Sequence, residues 1–353
     1  MDQESLSRQS SAVNALRYSL IVIVLFIDVL PPQVMELENG FTSRGIYIFI
    51  SEFISHYLGS IAVPLFFVFS GYYLFFTPKA WDIKTYQKHL TKKARGLLIP
   101  YLFWNLLTLL FEYLRLWVLS RSGGETQPMH FGLDHVWTAL TLPMDFPLWY
   151  VRDLMIMHLL APLLALAYRH LRAGAVLLLL ANYLLCQHWY PQLFLSPLAT
   201  ALFYFSLGGY LGLKKIYFPD LFRRWMGLWG TFLVLLLLTM LGYMSFVPTL
   251  YIPFGVLAVL ASVEHIFDRL PRVKAYCLAR EGQVFFIYAV HLVFIENWIK
   301  GAFSRTPLAH SGWGLLLSYF VIPFITLAIC TLLYKGLNRL TPRLLSIITG
   351  GRS

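Results

Sequence analysis

Residues 17–28 read RYSLIVIVLFID, an apolar helical run with a cation at its start and an anion at its end. Eleven residues at about 100° each return Arg17 and Asp28 to nearly one face, and a rise of about 1.5 Å per residue separates them by roughly 16 Å. Ile21 and Val24 lie on the same stripe. In a membrane, one face of one helix would therefore carry Arg17 low and Asp28 high. Ionisable groups inside a bilayer are costly and point to function by default. The structural alternative is that Arg17 snorkels to the membrane edge and Asp28 caps a turn ahead of Pro31 and Pro32.

The rest of the chain supports the membrane setting. It has 353 residues, 58% hydrophobic and 13% charged, against about 25% charged in a soluble domain. Ten apolar stretches lie near the roughly 20 residues that a crossing helix needs: about 13–31, 51–76, 96–118, 147–168, 173–189, 195–213, 225–244, 248–267, 283–302 and 312–336. The expected fold is all-α, a polytopic bundle of about ten transmembrane helices. It forms one membrane-embedded domain over 1–353, with a polar tail at 1–12 and a basic tail at 337–353. The start, MDQESLSRQSS, is polar, and the first apolar run lacks a small-residue cleavage site, so no cleavable signal peptide is expected.

Orientation follows from Lys and Arg. Basic residues cluster after the second stretch (Lys79, Lys84, Lys88, Lys92, Lys93 and Arg95), after the fourth (Arg169, Arg172), sixth (Lys214, Lys215, Arg223, Arg224), eighth (Arg269, Arg272, Lys274, Arg280) and tenth (Lys335, Arg339, Arg343, Arg352). The alternate connections are poor in them. Both termini are expected in the cytoplasm. The net charge of +11 is thus a topology signal, and nucleic acid is not an expected partner. The outer loops at 32–50 and 119–146 are the longest; the second covers a substrate groove or simply connects two helices.

Several polar residues interrupt the apolar stretches. Ser70 and Gly71 in VPLFFVFSGYYLFF fall near the level of Arg17, after a kink expected at Pro64; they could receive a polar ligand or allow close helix packing. Arg152 and Asp153 in FPLWYVRDLMIMHLLAPLL come roughly 8–9 Å below the outer edge. With Asp28, Glu112 and Glu296 they make an outer polar tier. That tier lines a water-filled cavity or ties helices together by ion pairs, and Glu296 with Lys300 can be a plain i, i+4 pair. His158 and His291 fall nearer the middle; His291 is a core histidine or a catalytic one. Trp149 and Tyr150 fit an interfacial belt or a platform for a sugar ring. Cys186, Cys277 and Cys330 are far apart and show no metal spacing; no metal site is expected. The sequence has no P-loop, HExxH or GxSxG motif.

Four stretches taken together, LRYSLIVIVLFID, PLFFVFSGYYLFF, FPLWYVRDLMIMHLLAPLL and FFIYAVHLV, resemble the acyltransferase-3 family of integral membrane O-acyltransferases, as does the ten-span layout. The resemblance implies an enzyme of the bacterial plasma (inner) membrane. It would move an acyl group, most often acetyl from acetyl-CoA, onto a hydroxyl of a cell-envelope or extracellular polysaccharide. Acyl-CoA would be a donor substrate, with no cofactor bound permanently. The other partners would be the carbohydrate acceptor, the lipid bilayer and the polysaccharide-assembly machinery. Arg17, with Ser70 and Gly71, would bind the CoA end. Asp28, Arg152, Asp153 and His291 would be catalytic, and Trp149, Tyr150, Glu112 and Glu296 would face the acceptor. The family's first motif is a basic residue, ten residues, then histidine; here the histidine position is Asp28. Three readings stay open: an aspartate-based variant, an inactive protein, or another base such as His291. A glycan or solute transporter, or a non-catalytic subunit of a polysaccharide assembly, is the alternative from a different class.

Overall fold

The computed structural model describes residues 3–29, 41–77, 81–121, 137, 141–188, 198–221, 225–244 and 249–351. The described residues form helices and connecting turns, with no strand among them. In chain order the helices are α1 (Gln3–Val29), α2 (Ser43–Glu52), α3 (Ala62–Phe76), α4 (Ile83–Lys93), α5 (Ile99–Arg121), α6 (Trp149–Leu171), α7 (Ala173–His188), α8 (Ala199–Leu213), α9 (Trp225–Met240), α10 (Tyr251–Arg269), α11 (Pro271–Leu278), α12 (Val284–Val290), α13 (Asn297–Phe303), α14 (Gly312–Leu340) and α15 (Pro342–Ile348). Irregular helical turns fuse several of them, so that Ser43–Phe76, Ile83–Val118 and Glu281–Phe303 each run as one membrane-length piece.

Seven described helices are long and apolar enough to cross a membrane, and the protein is a multi-pass membrane protein. The fifth, sixth and seventh expected stretches form shorter apolar helices: Ala173–His188, Ala199–Leu213 and Met226–Met240. At 1.5 Å per residue, 16 residues reach about 24 Å, short of a hydrocarbon core of about 30 Å. Much of the long loop expected at 119–146, like Pro31 and Pro32, lies outside the described residues.

Lipid tails are as apolar as leucine, so helices here are held by close packing and polar contacts rather than by expulsion of apolar surface from water. The tightest seam joins α3 to α8. A Cβ at Gly71 would stand 2.1 Å from the Phe205 carbonyl oxygen, and one at Gly208 would stand 2.0 Å from that of Val68. Only glycine lets the two backbones meet this closely. The irregular turns at 53–61 precede Pro64, which lacks an N–H and cannot complete the helical ladder one turn back. Helix α1 packs against α3, α10, α11, α12, α14 and the turn at 53–58, so the RYSLIVIVLFID stripe runs through the interior.

Two segments expected as tails are integral to the bundle. Residues 3–12 are the first turns of α1, and buried Gln9 accepts a hydrogen bond from the Phe218 N–H at 2.8 Å. At the other end, Leu345 and Ile348 of α15 are buried, and the Trp104 indole N–H donates to the Ile348 carbonyl at 3.0 Å.

Candidate active site

Helix α1 delivers its two charged residues as the spacing predicts. Arg17, Ile21 and Val24 line one wall of an internal cavity, and Asp28 stands one turn beyond Val24. The Asp28 carboxylate Oδ2 lies 2.8 Å from Nε2 of His291. His291 is fully buried, whereas the Asp28 side chain is 17% exposed, so Asp28 is the front of the pair and His291 its back. The imidazole Nδ1 faces the carbonyls of Tyr288 at 2.8 Å and Ile287 at 3.1 Å. Carbonyl oxygens only accept, so Nδ1 carries hydrogen. The 2.8 Å contact between Nε2 and the carboxylate then holds one shared proton. No lone pair of His291 is left for a substrate; the open acceptor of the pair is the second oxygen of Asp28.

The local helix geometry makes this meeting possible. His291–Glu296 is a π-helical turn, closing i→i+5 rings, a rare form that is frequent at functional sites. Five residues on a regular α-helix lie about 140° apart; the wider turn gathers His291 and Glu296 toward one side. Both are buried. Lys300, one turn on, donates to the Asp28 backbone carbonyl at 2.7 Å and lies 3.6 Å from the Glu296 carboxylate. Its charge sits at the C-terminal end of α1, where a cation is favoured.

A third carboxyl group completes this centre. Asp145 is fully buried, and neither of its carboxyl oxygens has a hydrogen-bond partner among the described residues. Its backbone carbonyl accepts from the Leu148 N–H at 2.9 Å, starting the tight turn Phe146–Leu148 that leads into α6. That turn packs against α12 and the turn that carries His291. Burial pushes the Asp145 carboxyl up to about 8; the His291 charge pulls it down and Asp28 pushes it up further.

The cavity, of about 730 Å³, runs from Arg17, Lys92, Lys93 and Glu281 at one end toward Val24, Tyr150 and Tyr288 at the other. Arg17 is steered from three sides. Its guanidinium is 3.3 Å from Asn14 Oδ1, 3.8 Å from the Glu281 carboxylate, and lies over the Tyr73 ring. Ser70 lines the cavity with its Oγ 3.3 Å from the Tyr150 hydroxyl. An adjoining cleft of about 840 Å³ shares Lys92 and Lys93, adds Lys88 and Arg95, and is closed by Ser346, Ile347 and Gly350 of the C-terminal segment. One continuous, strongly basic entrance therefore leads toward the level of the Asp28–His291 pair.

Comparison with known proteins decides what this arrangement belongs to. The family model described as an acyltransferase domain matches residues 10–335, nearly the whole chain. The chain belongs to the acyltransferase-3 family. It is also 27% identical over 365 residues to the succinoglycan biosynthesis protein ExoH of Rhizobium meliloti (strain 1021), an alignment taking in 98% of this chain and 93% of that protein. No solved structure matches.

Not all of the residues singled out from the sequence meet at the centre of this acyltransferase. Asp28, His291 and Glu296 do. Arg152 instead grips its neighbour: Nε is 2.9 Å and a terminal nitrogen 2.8 Å from one Asp153 oxygen, and the other terminal nitrogen donates to the Thr141 carbonyl at 3.3 Å. This pair ties the segment before α6 to that helix. Gly71 faces α8 at the backbone seam, whereas Ser70 faces the cavity. Glu112 pairs with Arg115 of its own helix at 2.8 Å. Trp149 packs beside Phe67, with ring centroids 6.5 Å apart, while Tyr150 reaches the cavity. His158 lines the cavity too, its ring 5.2 Å from that of His89. The sequence reading missed Asp145 and Tyr288, and it used Lys92 and Lys93 only as topology markers. A carboxylate directly ahead of FPLWYVRD was the one available signal for Asp145.

Proposed function

We propose that this acyltransferase moves an acyl group, acetyl in the first instance, from acyl-CoA to a hydroxyl of a cell-envelope or extracellular polysaccharide, working in a bacterial plasma (inner) membrane. The observation that carries the reading is the half-buried Asp28–His291 hydrogen bond set beyond the end of a cavity with a cationic mouth. CoA carries phosphates at one end and a slender arm ending in the thioester at the other. Lys88, Lys92, Lys93, Arg95 and Arg17 offer charge for the phosphates, and the apolar walls around Val24 suit the arm. That the relative ExoH is a succinoglycan biosynthesis protein supports a polysaccharide as the acceptor.

The chemistry follows from the pair's geometry. The acceptor hydroxyl attacks the thioester carbonyl carbon while its proton passes to the free oxygen of Asp28. His291, anchored from behind by two carbonyls, shares a proton with the other oxygen and steadies the charge. The C–S bond then breaks, and the proton returns to the departing thiolate. General-base assistance of this kind contributes about 10²–10⁴-fold. Asp28 thus works in the histidine's place because a histidine stands behind it, an aspartate-based variant rather than an inactive one. The direct experiment supplies labelled acetyl-CoA and oligosaccharide fragments to the purified protein in detergent. Acetylated oligosaccharide and free CoA in equal amounts are expected; label transferred from a different donor class and never from an acyl-CoA contradicts the proposal.

A further inference from the structure

We infer that Asp145 takes part in the transfer as a neutral carboxylic acid, donating a hydrogen bond to the oxygen that gains charge when the acceptor hydroxyl adds to the acyl carbonyl. The inference rests on acyl transfer at the Asp28–His291 pair. Its basis is an unusual vacancy of partners: Asp145 is fully buried and both of its carboxyl oxygens are without a hydrogen bond among the described residues. The cations near the centre are engaged with other groups. Arg152 is held by Asp153 and Thr141, and Lys300 by the Asp28 carbonyl and Glu296.

The groups whose charge couples to Asp145 come from three elements: Asp28 from α1, Tyr288 from α12 and His291 from the π-helical turn. None of them gives its carboxyl a hydrogen bond. An isolated buried carboxylate is so costly that the group takes up a proton instead. Burial accordingly holds Asp145 up to about 8, so it is neutral at pH 7. The neutral form owns an O–H donor that a carboxylate lacks. In a water-excluded site such a fixed donor is worth most where charge develops during the reaction, and apolar surroundings can keep a carboxylic acid neutral for that task.

In the step itself, the hydroxyl oxygen bonds to the acyl carbon and its proton goes to the Asp28–His291 pair. The carbonyl electron pair moves onto oxygen, opposite the Asp145 O–H. Collapse re-forms the C=O bond, breaks the C–S bond and returns the pair's proton to the thiolate. Asp145 keeps its own proton throughout.

The test measures acetyl transfer by the wild type and by Asp145→Asn, Asp145→Ala and Asp28→Asn between pH 6 and 9.5, each variant checked for an unchanged elution volume and melting transition. Asparagine donates without ionising. Asp145→Asn should stay within about 3-fold of wild type at pH 7, and Asp145→Ala should fall by about 10²-fold. Wild-type turnover should decline above about pH 8 as Asp145 ionises, and that decline should be absent from Asp145→Asn. An Asp145→Asn profile that declines like wild type, or a loss at pH 7 equal to that of alanine, overturns the inference. Asp28→Asn separates the two levels. Activity kept there removes the pair and the inference with it. Activity lost there, with an unchanged decline in Asp145→Asn, removes Asp145 alone.

Discussion

The seam between α3 and α8 and the centre around Asp28 are both buried, yet they are built on opposite terms. At the seam, backbone meets backbone over Gly71 and Gly208, and surrounding Phe67, Phe69 and Phe205 are fully buried. At the centre, Asp145, Tyr288 and Glu296 keep buried oxygens without hydrogen bonds among the described residues. A buried polar group left unmade costs about 1–3 kcal/mol. The seam is built for stability alone, whereas the centre gives up stability for groups that only a reacting substrate would satisfy.

This contrast breaks most visibly at Gly208. Any side chain there drives a Cβ into the Val68 carbonyl, so Gly208→Leu should abolish recovery of folded protein. Gly227→Leu, whose Cβ meets no atom within 4 Å, should behave as wild type. Size-exclusion profiles in detergent check both; a monodisperse Gly208→Leu protein would mean the two backbones can separate freely.

The donor end gives the next largest effect. Arg17 is 31% exposed and only loosely paired with Glu281, so it has charge to offer. Arg17→Ala should raise the KM for acetyl-CoA by about 10-fold at low salt, and by less at 0.5 M, where screening is strong. An unchanged KM at both salt levels takes Arg17 out of the donor site.

The smallest effect is on stability, and its sign is fixed by Asp145. The folded state holds its proton up to about pH 8, whereas the unfolded chain releases it near pH 4. The native state therefore binds more protons across that window. The stability this contributes is fully present below about pH 4 and is lost as pH rises toward 8. Asp145→Asn removes the loss. Its melting temperature should gain on wild type between pH 5 and pH 8, by about 3 °C or more. A difference that stays constant between pH 5 and pH 8 would show that Asp145 is already ionised in the fold.

The sequence made the helices and the Arg17–Asp28 stripe legible because both depend on local periodicity. Eleven residues fix a face, and hydropathy fixes a span. The Asp28–His291 contact was not legible: it joins residues 263 positions apart, and the π-helical turn that aims His291 has no periodic signature. Asp145 stands before a proline among turn formers and reads as an ordinary turn residue until burial is known. The ends of the chain misled for a related reason. Residues 3–12 and 337–351 are polar or basic by composition, yet Gln9 and Ile348 find partners at Phe218 and Trp104, far away in the chain. Arg152 and Asp153 were legible as buried charges, but not as partners of each other rather than of a substrate.

The central claim is that Asp28, backed by His291, is the working base. Single-turnover acetyl transfer by wild type, Asp28→Asn, Asp28→His and His291→Gln tests it most directly, with folding verified for each. Asp28→Asn should fall by about 10²–10⁴-fold. His291→Gln should fall with it, since the carboxylate then loses its partner, and Asp28→His should gain nothing, because two imidazoles would face each other. If Asp28→His exceeds wild type, the natural protein is an impaired histidine enzyme; if all four transfer acetyl equally, the pair is not the catalytic centre.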